Sequence, residues 1–148
     1  MPKQRESGAG RRFDAFRLAS GRSTVEGSLD ARDLPRMAEM LAVDAGPAPV
    51  TWRIAGGAAA DGRAALTVAL DGVLPLTCQR CLGPLAWPVA QQTELLLAHD
   101  DVEMARLDAD SDNEVIVAAG PLDPAVLVED ELLLTVPYVP RHEGNCQV

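Results

Sequence analysis

Leu66-Thr-Val-Ala-Leu70-Asp-Gly-Val-Leu74-Pro-Leu-Thr-Cys78-Gln-Arg-Cys81 reads as strand running into a cysteine turn. Leu66, Val68 and Leu70 face one way, with Thr67 and Ala69 on the other, which is the period of a half-buried strand. Asp71-Gly72 is a turn or bulge signal. Leu74, Leu76 and Cys78 then resume the alternation and carry it into the Cys-x2-Cys knuckle. The neighbours have the same character. Val50, Trp52 and Ile54 alternate with Thr51 and Arg53, and Trp87 to Leu97 reads as the strand that leaves the knuckle. Gly56 to Arg63, with Asp61-Gly62, reads as the loop between two strands.

Upstream, Phe13 to Leu18 alternates well enough to predict a first strand, and Ser23 to Leu29 a second. Asp30 is placed to cap a helix over roughly Ala31 to Leu41, with Leu34, Met37, Ala38 and Leu41 on one face and Pro35 near its start. Downstream, His99 to Asn113 is strongly acidic and reads as a loop, followed by a short strand at Val115-Ile116-Val117. Leu122 to Val136 reads as a second helix, with Asp123 and Pro124 at its start and Pro137 as its stop. The expected fold is α+β: a mostly antiparallel sheet with about two packed helices, and a zinc knuckle if the thiols bind metal. Residues 1–11 are expected to be a flexible basic arm and residues 12–148 a single α+β domain with an acidic loop at 99–113.

The chain has 148 residues and a net charge of −9. Residues 1–22 carry six basic and two acidic side chains, whereas residues 91–135 carry twelve acidic side chains and one arginine, Arg106. Broad, charge-driven nucleic-acid binding is disfavoured for such a chain. The acidic half suits a basic protein partner, and the basic arm leaves RNA contact through Arg11, Arg12 and Arg17 open. No apolar run approaches the ~20 residues of a membrane span. No secretory signal follows the first Met, so the expected compartment is the cytoplasm, where thiols stay reduced. No feature points to a small-molecule substrate.

All three cysteines, Cys78, Cys81 and Cys146, and one of the two histidines, His142, fall in two short stretches. Thiolate and imidazole are tetrahedral zinc ligands, and each of the two spacings lets a single turn aim two ligands at one point. A composite Cys3His site would tie the chain's end to its middle and, with four protein ligands, would be structural. Three reduced thiols that only pack are the plain alternative. A dithiol oxidoreductase would place its first Cys at a helix start, and an iron–sulfur cluster would ask for four thiolates; neither pattern is present.

On a helical wheel Leu122, Ala125, Val126, Val128, Leu132, Leu133 and Val136 share one arc, and Glu129 falls among them. A buried carboxylate needs a partner, and Arg80 inside the knuckle is the first candidate; a shorter or rotated helix that lets Glu129 reach solvent is the alternative. Leu127 and Leu134, edged by Asp123, Asp130 and Glu131, form a second ridge that would suit a basic partner helix, although exposed apolar residues of this kind are ordinary on a soluble surface. Asp100, Asp101 and Glu103 could hold Mg²⁺ if the chain were a metal-dependent nuclease.

The order Leu76-x-Cys78-Gln-Arg-Cys81-Leu82, acidic insert, Leu127-Val-Glu-Asp-Glu-Leu-Leu-Leu134-x-x-Pro137-x-Val139-Pro140-x-His142, then Cys146, resembles the YceD family. The resemblance runs from Leu74 to Cys146, and more weakly through Phe13, Arg36, Met37 and Trp52. Members are known as large ribosomal RNA subunit accumulation proteins. The resemblance implies a part in accumulation of large-subunit ribosomal RNA, hence in ribosome assembly, and no known catalytic activity; the expected mechanism is non-enzymatic, by binding a ribosomal or assembly protein or the RNA. It implies no ligand set for the cysteines. A zinc-stabilised interaction module of other function is the alternative.

Overall fold

A computed structural model describes residues 12–144 and Cys146. The expected basic arm over residues 1–11, with Arg11, lies outside the described residues. The element order is α1 (Ala15–Gly21), β1 (Thr24–Asp30), a 3-10 turn (Ala31–Asp33), α2 (Pro35–Ala38), β2 (Pro49–Ala58), β3 (Ala64–Thr77), β4 (Pro84–Ala98), α3 (Asp101–Asp110), β5 (Glu114–Val117) and α4 (Pro124–Thr135). The five strands form one sheet in sequence order. β1 to β4 are an antiparallel meander, and β5 joins β4 in parallel through the α3 crossover. The α+β class and the mostly antiparallel sheet are as the sequence predicts. Among the described residues the α-helices number four rather than about two, for reasons local to each.

β3 is where the opening stretch decides the fold. Its pairing with β4 is unbroken from Ala65↔Leu96 to Thr77↔Pro84, so Asp71-Gly72 is neither turn nor bulge. Leu66, Val68, Leu70, Leu74, Leu76 and Cys78 are all buried on one face, with Gly72 in step between them. A side chain at Gly72 would meet the Pro49 carbonyl oxygen at 2.7 Å. Glycine is there to let the paired β2 backbone approach, a strand role that the dipeptide shares with turns. β2 likewise runs on to Ala58, and the turn that Asp61-Gly62 signals follows it, with Gly62 at φ +89°. A Cβ at Gly56 would lie 2.2 Å from the Leu18 carbonyl oxygen, so this strand position is also the seat of α1.

The expected first strand is helix α1. Asp14 caps it by accepting from the Arg17 N–H at 3.1 Å, and Ala15, Leu18 and Ala19 are buried at helical spacing. Only Phe13 keeps extended pairing, as a two-bond bridge to Leu122. The helix expected from Ala31 to Leu41 is interrupted. Asp30 caps only the 3-10 turn, through the Arg32 N–H at 2.9 Å. Pro35 then pushes Leu34 into extended backbone (φ −95°, ψ 116°), as proline does to the residue before it, and α2 starts afresh at Pro35. The acidic segment expected to be a loop contains α3. Asp100 caps it by accepting from the Glu103 N–H at 2.8 Å. Leu107 is buried, with Met104 packed beside it, against Ala65, Leu96, Ala98 and Val115.

The main core lies on the opposite face of the sheet. There Leu18 of α1, Met37 of α2, and Val128 and Leu132 of α4 meet the even-numbered face of β3 and the matching residues of β4. The helices α1, α2 and α4 thus cover one face, and α3 covers one end of the other.

Candidate metal centre

β3 and β4 extend beyond the helices to carry the knuckle. After the last pair, Thr77↔Pro84, the Cys78 N–H donates to the Gly83 carbonyl at 2.9 Å and the Leu82 N–H to the Cys78 carbonyl at 2.8 Å. Leu82 takes a left-handed φ of 62° to close this turn. Two amides point inward: the Arg80 N–H at Cys78 Sγ and the Gly83 N–H at Cys81 Sγ, each 3.4 Å. The tail after α4 docks here. The Gln79 N–H donates to the Pro140 carbonyl at 2.8 Å. The Arg80 guanidinium donates to the His142 carbonyl at 3.2 Å and also to that of Gly144.

The result brings Cys78, Cys81, His142 and Cys146 together. Their ligand atoms all lie within 4.8 Å of one another, an arrangement that could hold a metal ion. Cys78 Sγ is 3.7 Å from Cys146 Sγ, and Cys81 Sγ is 3.6 Å from His142 Nδ1. The other imidazole nitrogen, Nε2, is 3.0 Å from the Pro84 carbonyl. That hydrogen bond keeps the proton on Nε2 and leaves Nδ1 free to coordinate.

The electrostatics favour thiolate at Cys78 and Cys146. Burial opposes ionisation of Cys78, but the amide N–H groups of Cys81, His142 and Arg80 outweigh it and bring its pKa down to about 5. Hydrogen bonds from His142 and Arg80 lower that of Cys146. Cys81 is helped by the Gly83 amide, yet burial and the thiols of Cys146 and Cys78 beside it raise its pKa on balance. The Cys146 sulfur raises that of His142. Three sulfurs and a ring nitrogen competing for protons in so small a space is the condition that a dication relieves.

The pair expected between Arg80 and Glu129 does not form. Arg80 is occupied by the tail carbonyls, and Glu129 faces α2 instead. Its Oε2 accepts from the backbone N–H groups of Arg36 (2.6 Å) and Met37 (3.0 Å), and its Oε1 from the Arg36 guanidinium (3.3 and 3.2 Å). Leu34, at the cap position of α2, has no side-chain acceptor. Glu129 supplies from a distant helix the cap that Leu34 lacks. The sequence signal was Pro35 preceded by an apolar residue: a helix start with nothing local to cap it.

Nor do Leu127 and Leu134 share an exposed ridge. Leu127 and Glu131 are buried, while Val126 and Leu134 are exposed and Asp130 pairs with Arg36. The buried side of α4 is turned by roughly 80° from the apolar arc. The turn lets Glu129 reach α2 and brings Glu131 over the sheet. Burial, with the Glu114 carboxylate nearby, pushes the pKa of Glu131 up to about 7, and its Oε1 has no hydrogen-bond partner. The acidic trio is divided among other tasks: Asp100 caps α3, Glu103 accepts from His99 at 2.9 Å, and Asp101 is exposed. Arg12 and Arg17 are exposed.

Among the described residues, no helix is long and apolar enough to cross a membrane. Neither the curated proteins nor the solved structures returned a match. A family model, described as large ribosomal RNA subunit accumulation protein YceD, matches residues 66–148, more than half of the chain. The match takes in β3, the knuckle, β4, the α3 crossover, α4 and the tail that completes the thiol cluster, and the family it names is one of accumulation factors for large-subunit ribosomal RNA rather than of enzymes. The sequence motif, the strand pair that carries it and the tail that closes on it thus agree, and the chain belongs to the YceD family.

Proposed function

We propose that this protein is a non-enzymatic, cytoplasmic assembly factor that supports accumulation of large-subunit ribosomal RNA by binding a basic ribosomal or assembly protein, with structural zinc at Cys78, Cys81, His142 and Cys146. The geometry of the four ligand atoms is the observation that carries this reading. A tetrahedral zinc spaces two thiolate sulfurs about 3.8 Å apart and a sulfur from an imidazole nitrogen about 3.6 Å apart. The corresponding separations are 3.7 and 3.6 Å. Four protein ligands leave no position for a substrate or an attacking water, which argues for a clasp and against metal catalysis. The clasp holds the chain's end against the β3–β4 hairpin, and its product is a surface.

The net charge of −9 supports a basic protein as the partner. RNA contact through Arg11, Arg12 and Arg17 is the second reading, favoured by the basic balance of residues 1–22.

The experiment mixes the purified full chain, at several salt concentrations, with isolated large-subunit ribosomal proteins and separately with large-subunit ribosomal RNA. Zinc is measured on the same preparation. One zinc per chain and salt-sensitive binding to basic proteins is the expected result. Metal-dependent RNA cleavage lost in Asp101→Ala would overturn it in favour of the nuclease.

A further inference from the structure

The face of the sheet opposite the main core is covered by α3 at one end only. Towards the knuckle it stays open and forms one wall of a groove of about 1090 Å³. Its floor is the odd-numbered side of β3, including Val73 and Pro75. One rim is the segment after α2, with Val43 and Asp44, and the opposite rim is the knuckle itself, with Leu82. Val43, Val73 and Leu82 are 100%, 52% and 72% exposed, a large apolar surface for a chain with so few aromatic residues.

Two carboxylates, Asp44 and Asp71, line the groove, and no lysine or arginine does. Neither makes a side-chain hydrogen bond or ion pair among the described residues. An apolar trough lined by two carboxylates and by no lysine or arginine repels phosphate and so disfavours RNA. A second copy of this chain would bring the same two carboxylates and a net charge of −9. The complement is an apolar stretch flanked by lysine or arginine.

We infer that this groove is the docking site for a short apolar segment with flanking Lys or Arg side chains, belonging to a basic protein of the large subunit. The inference rests on the proposed protein-binding function and assigns it a surface. Apolar side chains of the segment cover Val73 and Leu82, and its cations meet Asp44 and Asp71. The knuckle then has a direct part in binding: the metal clasp holds the Leu82 rim in place.

The test uses the full, metal-replete chain with a photo-crosslinking residue in place of Val73, mixed with large-subunit proteins extracted from ribosomes. Affinity for the same protein mixture is measured for Asp44→Lys/Asp71→Lys and for Val73→Lys. Asp112→Lys, exposed and outside the groove, is the charge control. The expected result is a crosslink to an apolar stretch with Lys or Arg within a few residues. Binding should fall at least tenfold in both groove variants and less than twofold in Asp112→Lys. A crosslink only to a second copy, or a loss that follows net charge equally in all variants, overturns the groove. Basic proteins that still bind the groove variants at full affinity also overturn the groove but leave the protein-binding function standing. Failure of the unaltered chain to bind any basic protein defeats both.

Discussion

Replacing Glu129 by Leu tests how α4 and α2 are joined. The carboxylate is 5% exposed and accepts two backbone N–H bonds at the start of α2 as well as the Arg36 guanidinium. A hydrogen bond to a charged group is worth about 1.5–3 kcal/mol net, and a lost helix cap about 1 kcal/mol. Leucine would leave both amides without an acceptor, but it also removes the cost of burying a charge and adds apolar burial. The net loss expected is roughly 3 kcal/mol. For a chain of this size that lowers Tm by roughly 6–12 °C. Urea unfolding followed by circular dichroism reads it as a lower midpoint with unchanged slope. Arg36→Ala should cost clearly less, since its side chain is 53% exposed and the backbone caps survive. Glu129→Leu combined with Arg80→Ala should be additive within about 0.5 kcal/mol. A Glu129→Leu midpoint within about 0.5 kcal/mol of the parent, or an Arg36→Ala effect equal to it, would refute the capping argument.

Gly56→Ala should destabilise by about 2 kcal/mol or more, because the Cβ meets the α1 backbone and no flexible side chain can yield; thermal melts check this against Gly57→Ala, where the Cβ meets nothing within 4 Å. Removing metal with a strong chelator, or Cys78→Ser, should lower Tm and expose the tail after Pro140 to protease, while leaving the far-UV spectrum of the sheet intact; unchanged proteolysis of the tail would count against the clasp. Glu131 has a folded-state pKa near 7 against an unfolded value of 4.5, so it binds its proton more tightly in the folded chain. Its contribution to stability is therefore full below about pH 4.5 and is lost as pH rises through about 7, on the order of 3 kcal/mol in all. Glu131→Gln should flatten that part of the pH–stability curve and be the more stable protein at pH 8; an unchanged slope between pH 4.5 and 7 would contradict the assignment.

The cluster of Cys78, Cys81, His142 and Cys146 was legible because its signals are chemical and local. Thiols are scarce in this chain, all of them fall in two clusters, and the spacing within each suits one turn. The meander was legible for a similar reason, since alternation over Val50 to Ile54 and Leu66 to Cys78 leaves one face to bury. Errors gathered where one residue type serves two backbones. Asp-Gly at 71–72 signals a turn in isolation, but here the glycine admits a neighbouring strand. Phe13 to Leu18 alternates, yet the capping oxygen of Asp14 and the spacing of Ala15, Leu18 and Ala19 favour helix. The acidic run at 99–113 reads as a loop because charge hides the cap at Asp100 and the buried Leu107 with Met104 packed beside it.

By itself, then, the sequence determined the meander, the α+β class, the family and the four residues that come together as a candidate metal site, since each depends on residues close together in the chain or on their chemistry. The rotation of α4, the partner of Glu129 and the groove beside the knuckle were decided only by tertiary structure. Glu129 is 92 residues from the Met37 amide it caps, and no periodicity reports a contact at that separation. Arg80 was an available cation by sequence, but the tail carbonyls engage it. The start of α2, which has no cap of its own and holds the buried Met37 N–H beside α4, is what selects Glu129, because a buried backbone N–H without an acceptor costs more than a turned helix face.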